Sequence, residues 1–180
     1  MKAEIIAITQ WEGTPESWPA VEGVTGDMLA ICWQRIEHYV ARRWAPRDVV
    51  WTISTSGGEW VAPLGPVLSE SVDSFRWIDG EWTAYPTRKG PYGFCLPAGH
   101  VQISASVGTL AGVVPAAVRE AVKRLAAYYT AEHPVPAGAR SYSANVGQLS
   151  ESISIDPAAV AKAMQNSGAA DLLRPYRRAV

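Results

Sequence analysis

The chain has 180 residues, of which 48% are hydrophobic and 18% are charged, and its net charge at pH 7 is -1. This length suits one compact domain that buries roughly two thirds of its unfolded surface. The near-neutral charge excludes a surface that is basic all over, as a nucleic-acid coat protein needs. Most of the eight tryptophans are expected to fill the core, although tryptophan is also enriched at interfaces.

The cysteines and the N-terminus indicate a protein that is made in the cytoplasm. Cys32 and Cys95 lack CxxC spacing, and both are expected to be buried, reduced thiols. The first residues show no cationic segment followed by an apolar run, so no signal peptide is predicted. No stretch approaches the ~18 consecutive apolar residues of a membrane span, so no membrane partner is expected.

The first third of the chain contains one clear helical pattern. Residues 1–24 are difficult to assign apart from a short strand over 4–8. A helix is predicted from a cap at Thr25 or Asp27 to about Trp44, before Pro46. Its apolar stripe follows 3–4 spacing and comprises Leu29, Cys32, Trp33, Ile36, Tyr39, Val40 and Arg43. The other faces carry Arg35, Glu37, His38 and Arg42.

The middle of the chain has the composition of β-structure. Strands are predicted over 49–55, 69–78, 81–85 and 100–107, where β-branched and aromatic residues are frequent or alternate with polar ones. A turn over 56–58 leads into 59–64. Asp79-Gly80 indicates a tight hairpin between two of these strands.

A second amphipathic helix is predicted from Val114-Pro115 to about Glu132. Glu120 and Arg124 are spaced to form an i,i+4 ion pair on its polar face.

The remaining residues are predicted to be mostly irregular. Residues 134–156 have few large apolar side chains and are interpreted as a long loop. Asp156-Pro157 caps a third helix, which runs from Ala158 to about Asn166 and ends at Gly168. Residues 169–173 form one more turn before Pro175.

This order of elements predicts an α+β fold. We expect a small antiparallel helix bundle with a β-strand insertion between the first two long helices and an extended C-terminal arm. Residues 1–133 then form the core (helix, β insertion, helix). Residues 134–180 form the loop, the short helix and the C-terminal docking arm.

The residues that carry chemistry do not form a recognisable site. His38, His100 and His133 lie in different predicted elements, so no metal site is expected. Neither GxxxxGK[ST] nor GxGxxG occurs, so no cofactor is predicted. Residues 54–58 resemble the turn around a nucleophilic serine, but a hairpin turn explains them better. The carboxylates Asp73, Asp79 and Glu81 are scattered, and the prediction is that the protein is not an enzyme.

The C-terminal residues are apolar and cationic, and a protein partner is predicted to cover them. They are Leu172, Leu173, Arg174, Pro175, Tyr176, Arg177 and Arg178. Burial of a large apolar side chain yields about 1.5–3 kcal/mol, and arginine forms two parallel hydrogen bonds with a carboxylate. Two alternatives remain: the leucines pack on their own domain, or the arginines contact DNA.

Three segments carry a family resemblance. They are IEHYVARRW (residues 36–44), VQISASVGTLAGVVPAAVREAVKRLAAYYTAEHP (residues 101–134) and LLRPYRR (residues 172–178). In this order they resemble the head–tail connector, or adaptor, family of long-tailed double-stranded DNA phages and gene transfer agents. Residues 1–24 depart from the short acidic helix with which the family usually opens.

The resemblance implies a structural role in a virion. Such proteins form a ring, usually of twelve subunits, below the portal, where the ring extends the DNA channel and joins the capsid to the tail. The implied partners are other copies of the chain, the portal protein, a stopper or tail completion protein, and transiently the double-stranded DNA in the channel. The C-terminal segments of connector proteins commonly reach the portal, so residues 172–178 are the predicted portal-binding residues. The implied location is the head–tail junction of a particle assembled in the host cytoplasm.

Other functions remain open. A stopper or tail terminator also forms rings, but such proteins are usually strand-dominated and lack two long helices. A carbohydrate-binding module that grips polysaccharide with exposed tryptophans is a third possibility. A small hydrolase is the weakest, because no histidine and acid are paired with a nucleophile.

Overall fold

The computed structural model describes residues 2–68, 72–109, 114–131, 141–146, 149–154 and 162–177. Five strands form one antiparallel sheet, in the order β1 (Ile5–Glu12), β2 (Arg47–Thr55), β8 (Gly99–Val107), β4 (Asp73–Ile78) and β5 (Glu81–Ala84). Three short strands form a second antiparallel sheet, in the order β3 (Gly58–Trp60), β7 (Phe94–Leu96) and β6 (Arg88–Lys89).

In the described part of the chain, the helices are fewer than the strands. The two long ones are α1 (Gly26–Val40) and α2 (Ala116–Thr130), and the two short ones are α3 (Ala163–Asn166) and α4 (Ala169–Leu173). A hairpin of β9 (Ser141–Val146) and β10 (Leu149–Ser154) follows α2, and a 3₁₀ turn, Arg174–Tyr176, follows α4. Among the described residues, no helix has both the length and the apolar character needed to span a bilayer.

The predicted antiparallel helix bundle with a β insertion is wrong. Both long helices exist, but the protein is mostly β, with a five-stranded and a three-stranded antiparallel sheet. The strands are no insertion into a helical core, because alternating apolar residues on β2 and β8 bury a core of their own. Helix α2 packs against the short helices α3 and α4.

The contacts divide the chain into two compact units, which are described separately. The first comprises residues 1–19, 37–114 and 176–180. Its core lies between the two sheets, where Trp51 of β2 meets Trp60 of β3 edge to face at 5.4 Å between ring centroids. The other buried core residues on strands of the two sheets are Val49, Ile53, Phe94, Leu96, Val101, Ile103, Ala105 and Val107.

The second unit comprises residues 20–36 and 115–175. The buried face of α2 is formed by Val118, Ala121, Val122, Leu125 and Ala126, as the helical spacing predicts. Its exposed face carries the predicted ion pair, with Arg124 Nε donating to Glu120 Oε1 at 2.9 Å. Cys32 is fully buried, and burial raises the pKa of its thiol to about 11.

Several local predictions can be compared with the structure. The Asp79-Gly80 hairpin is confirmed, because both residues have positive φ (50° and 92°) and join the paired strands β4 and β5. Helix α1 ends at Val40, earlier than the predicted Trp44, because Ala41 has a φ of 54° and leaves the helix. The prediction that Cys95 is buried is wrong, since its thiol is free and exposed on β7.

The C-terminal third differs more from the predictions. The predicted loop over 134–156 is wrong in part, because it contains the β9–β10 hairpin. In β9, Tyr142, Ala144 and Val146 alternate with polar residues, a short strand signal that the prediction did not use. The Asp156-Pro157 cap and residues 158–161 of the predicted third helix lie outside the described residues. So does the predicted domain division after residue 133, which stays a prediction. Gly168, with a φ of 72°, ends α3 as predicted.

Candidate partner-binding surface

The structure separates the seven predicted portal-binding residues by exposure. Arg174, Pro175 and Arg177 are exposed, and Leu172 and Tyr176 are partly buried. Leu173 is fully buried in α4, and Arg178 lies outside the described residues. Leu173 thus packs within its own chain, in line with one of the alternatives. The assignment of the segment to a partner stays a prediction, and the side chains available for it are the exposed ones.

The last described residues of the first unit contact the end of α1 and the segment that follows it. The Tyr176 ring contacts the buried Trp44 ring edge to face, at 6.4 Å between centroids. The Arg177 guanidinium lies over the Tyr39 ring at 4.9 Å, and Arg42 lies over Trp44 at 5.9 Å. These aromatic and cation–π contacts hold the C-terminal segment on residues 39–44 and leave its charges exposed.

A buried carboxylate fixes the backbone beneath this contact. Glu37, in the last turn of α1, is fully buried. Its Oε1 accepts hydrogen bonds from the backbone N–H of Trp44, at 2.6 Å, and of Ala45, at 3.1 Å. Its Oε2 accepts a hydrogen bond from Arg47 Nη2. Glu37 therefore joins the end of α1 to the start of β2 and positions Trp44 under Tyr176.

A second carboxylate extends this network to β1. Arg43 donates from Nε and Nη2 to the two oxygens of Glu12, at 2.5 and 2.8 Å, and from Nη1 to the Glu37 carbonyl at 2.9 Å. Arg47 donates from Nη1 to Glu12 Oε1 at 3.0 Å and from Nε to the Ala45 carbonyl at 3.1 Å. Two arginines and two glutamates thus form one ion network, here called the Glu12–Glu37 network.

The two carboxylates of the network have opposite pKa shifts. Burial raises the pKa of Glu37, and the opposing effects of Arg47, of the Trp44 and Ala45 N–H groups and of Arg43 do not offset it. Burial also acts to raise the pKa of Glu12, but hydrogen bonds and charges from Arg43 and Arg47 together hold it below its ordinary value of 4.5.

The Glu12 shift predicts a stability difference that depends on pH. The lowered pKa means that folded Glu12 binds a proton less tightly than unfolded Glu12. Its contribution is therefore full above the unfolded pKa and is lost as the pH falls through the folded pKa. We expect Glu12→Gln to lower the free energy of unfolding by roughly 1–3 kcal/mol at pH 7, and this difference from wild type to shrink below about pH 4.

Urea unfolding of both chains from pH 7 to pH 3 measures this effect. Glu16→Gln, at an exposed position, is the matched control, with an expected change within about 0.5 kcal/mol at every pH. A Glu12→Gln difference that stayed constant down to pH 3 would contradict the assignment.

A groove adjoins the C-terminal segment in the first unit. Its volume is about 330 Å³, and its lining includes Arg42, Leu64, Tyr92, Phe94 and Tyr176. Tyr92 is 82% exposed at its rim. The aromatic lining and the neighbouring exposed Arg177 make this surface suited to a peptide or loop with both apolar and acidic groups.

Sequence reasoning missed the network beneath this surface. Glu37 was placed off the apolar stripe, and Glu12 lay in the unassigned N-terminal part. The partners of these carboxylates lie 7 to 35 residues away in the sequence. The signal in the sequence was Arg43, a charged residue on the predicted apolar stripe, because an arginine at a buried position needs a partner.

No protein-family model and no curated protein matches the chain. Among solved structures, the chain is similar to one in the neck of a native gene transfer agent particle computed with C12 symmetry. The TM-score is 0.57 with 18% identity, and the match covers 96% of both chains. It is also similar to a chain of the virion of a native gene transfer agent particle, with a TM-score of 0.52 and 20% identity over 86% of this chain and 76% of that chain. The shared fold agrees with the sequence resemblance to head–tail connector proteins.

Proposed function

We propose that this protein is a structural component of the neck of a virion or virion-like particle, where it forms a ring. The observation that carries the proposal is the shared fold with a neck chain of a C12-symmetric assembly, which covers 96% of both chains. Agreement over nearly the whole length means that the resemblance extends over both sheets and both long helices.

Within the neck, the role we propose is that of the head–tail adaptor. Twelve copies would form a ring under the portal, extend the DNA channel and present a platform to the stopper or tail completion protein. The three quoted sequence segments support this role, because their order matches that of connector proteins. A cyclic ring also suits a channel component, since each subunit presents the same surface to the axis.

We further propose that the exposed part of the C-terminal segment binds the portal. Arg174 and Arg177 are exposed cations on either side of Pro175 and Tyr176. Each guanidinium can donate two parallel hydrogen bonds to a carboxylate of the portal. The Tyr39–Trp44 surface holds this end of the chain in place, which lowers the ordering cost of binding. Twelve copies bind together, so a modest affinity for each copy suffices.

The test is to mix the purified protein with its particle's portal ring and examine the complex by electron microscopy. We expect a ring of this protein stacked coaxially on the portal. Chains that stay monomeric and do not attach to the portal at micromolar concentration would contradict the proposal.

A stopper or tail terminator is the second candidate, and the dominance of β-strands in the fold favours it. The two 15-residue helices α1 and α2 favour the adaptor. The two roles differ in the neighbour that the protein contacts: an adaptor binds the bare portal, whereas a stopper or terminator binds only after the adaptor is in place. Filled heads that lack the adaptor separate the candidates, because only an adaptor attaches to them.

A further inference from the structure

The exposed apolar side chains of the first unit are concentrated at the two edges of the five-stranded sheet. Of the nine large hydrophobic residues that are exposed among the described residues, six lie there. The first edge, on β1, carries Ile6, Ile8 and Trp11, which are 71%, 43% and 61% exposed. The last edge, on the β4–β5 hairpin, carries Trp77, Ile78 and Trp82. Clustering of this kind marks an interaction surface, whereas scattered exposed residues do not.

The strand register places a tryptophan of the first edge on the face of the sheet that points away from the core. Trp11 is paired with Val50, which lies between the buried Val49 and Trp51. Because side chains alternate along a strand, Val50 and therefore Trp11 point away from the core. Ile8 is paired with the buried Ile53 and lies on the core side. The first edge is thus apolar on both faces.

The last edge has the same arrangement. Asp73 of β4 is paired with Ser104, which follows the buried Ile103 and so points away from the core. Trp77, four residues after Asp73, shares that face, and so does its partner Trp82, with 5.1 Å between the ring centroids. Ile78, the next residue, lies on the core side. Both edges of the sheet therefore carry tryptophan on one face and isoleucine on the other.

Between the two edges, the outer face of the sheet is mostly polar. The central strands present Val50 of β2 and Phe75 of β4 there, but most of the face is polar, with Thr52, Ser54, Gln102, Ser104 and Ser106. An apolar partner laid flat on this face would bury hydroxyl and amide groups. These groups would lose their hydrogen bonds to water and gain none in return. The apolar area is suited to a partner that abuts the edge of the sheet. Residues 5–11 of β1 also contain no charged residue and no proline, two of the features that usually protect an edge strand from pairing with another chain; the register shift between Ile5 and Ala7 is one such feature that β1 does have.

We infer that the first edge of one copy contacts the last edge of the next copy, and that this contact builds the ring. The inference rests on the proposed function and deepens it by naming the subunit interface. Two different patches on opposite edges of one sheet give a head-to-tail contact, which repeats from copy to copy and forms a ring when the rotation between copies closes. A contact of the first edge with itself would stop at a dimer. The tryptophans supply the large anchors typical of such interfaces.

Two charge-bearing variants test the contact by complementation. The first-edge variant is Ile6→Lys/Trp11→Lys, and the last-edge variant is Trp77→Lys/Trp82→Lys. Each is expected to weaken self-association at least about 100-fold and to give monomers in place of rings. Each retains the edge that the other has lost, so an equimolar mixture is expected to form a heterodimer and nothing larger. The matched control, Ile31→Lys/Tyr92→Lys, changes two exposed residues outside the edges and should form rings like the wild type.

The outcomes separate this inference from the proposed function. Rings from both edge variants would overturn the edge contact and leave the proposed ring function standing. A last-edge variant that dimerised with itself would show contact between two first edges, which also overturns the inference. A wild-type chain that stayed monomeric with and without portal would contradict both. Sedimentation velocity distinguishes monomers, dimers and rings, and circular dichroism checks that each variant is folded.

A milder pair of substitutions guards against misfolding. Thr9 shares the outer face with Trp11, and Ala84 shares it with Trp82. In a Cys95→Ser background, a chain with both Thr9→Cys and Ala84→Cys is expected to give a ladder of cross-linked multimers with a short thiol cross-linker. Chains with only one of the two cysteines should remain uncross-linked. A single-cysteine chain can form at most a dimer, and a cross-linked dimer from it, or no ladder from the chain with both cysteines, would overturn the head-to-tail contact.

Discussion

Glu37→Ala is expected to lower the free energy of unfolding by about 3–5 kcal/mol. Glu37 is fully buried, and its removal leaves the N–H groups of Trp44 and Ala45 without their acceptor. Arg47 also loses one of its two carboxylate partners in a buried place. At about 2–4 °C per kcal/mol for a chain of this size, the melting temperature should fall by roughly 6–20 °C.

Thermal and urea unfolding measure this effect, and two further variants serve as a control and as an intermediate. Glu120→Ala removes the exposed ion pair with Arg124 and is expected to cost no more than about 0.5 kcal/mol. Glu37→Gln keeps an acceptor for the backbone N–H groups but not the charge, so it should lie between wild type and Glu37→Ala. A loss for Glu37→Ala as small as that for Glu120→Ala would show that the Glu12–Glu37 network does not support the fold.

The network also links stability to the proposed portal contact. Glu37 positions the backbone of Trp44, and the Trp44 ring is the surface against which Tyr176 packs. Glu37→Ala should therefore loosen the C-terminal segment in chains that remain folded. Protease cleavage near the C-terminus, measured below the melting transition, is expected to be faster in this variant than in Glu120→Ala.

The elements that could be predicted are those whose signal is local. The alternating apolar pattern of β8, the stripe of α2 and the hairpin turn at Asp79-Gly80 each depend on residues close in sequence. The class of fold depends on which apolar face packs against which, and this is a long-range property. The helix bundle was predicted because the two amphipathic helices give a clear periodic signal. The strands form two sheets with one core between them, and no local pattern shows that packing.

The burial of the tryptophans also depends on long-range packing that the sequence does not show. Most of the tryptophans were expected to fill the core, and no local feature separated Trp51 from Trp11, which lie on strands of the same sheet. Trp51 is fully buried because β2 is an inner strand and its side chain points to the core. Trp11 is 61% exposed because β1 is an edge strand and the register turns it to the other face. Strand order and register decide between core and interface, and neither can be read from the composition of a strand.

The C-terminal portal site stays a prediction, and only the packing of its residues can be compared with the structure. Arg174 and Arg177 are exposed, and Leu173 is buried in its own unit. The chemistry of a leucine in a short helix does not decide whether it is buried within its own chain or against a partner. Leu173 is buried because α4 packs against α2, and no local sequence feature predicts that contact.

Reversing the exposed charges of the C-terminal segment is expected to abolish attachment to the portal. Arg174→Glu/Arg177→Glu changes two exposed side chains and leaves Leu173 in the core, whereas truncation of the segment would remove it. A hydrogen bond to a charged group contributes roughly 1.5–3 kcal/mol, so losing two such pairs should weaken binding to the portal by at least about 100-fold. Opposed like charges add to this loss. The fold should be retained, since the Arg177–Tyr39 contact at an exposed site is worth only about 0.5–1 kcal/mol.

The control for this change is Arg88→Glu/Lys89→Glu, which alters the net charge by the same amount at two exposed positions on β6. It should bind the portal like the wild type, because a general effect of net charge would act on both variants equally. Arg174→Lys/Arg177→Lys keeps the charges but loses the paired donor geometry, so its affinity should be intermediate. Binding of portal rings is measured at two salt concentrations, since exposed ion pairs weaken as ionic strength rises. Undiminished, salt-independent binding by the charge-reversed chain would exclude the C-terminal segment as the portal contact, and attachment would then have to come from another surface, such as the groove lined by Tyr92 and Phe94.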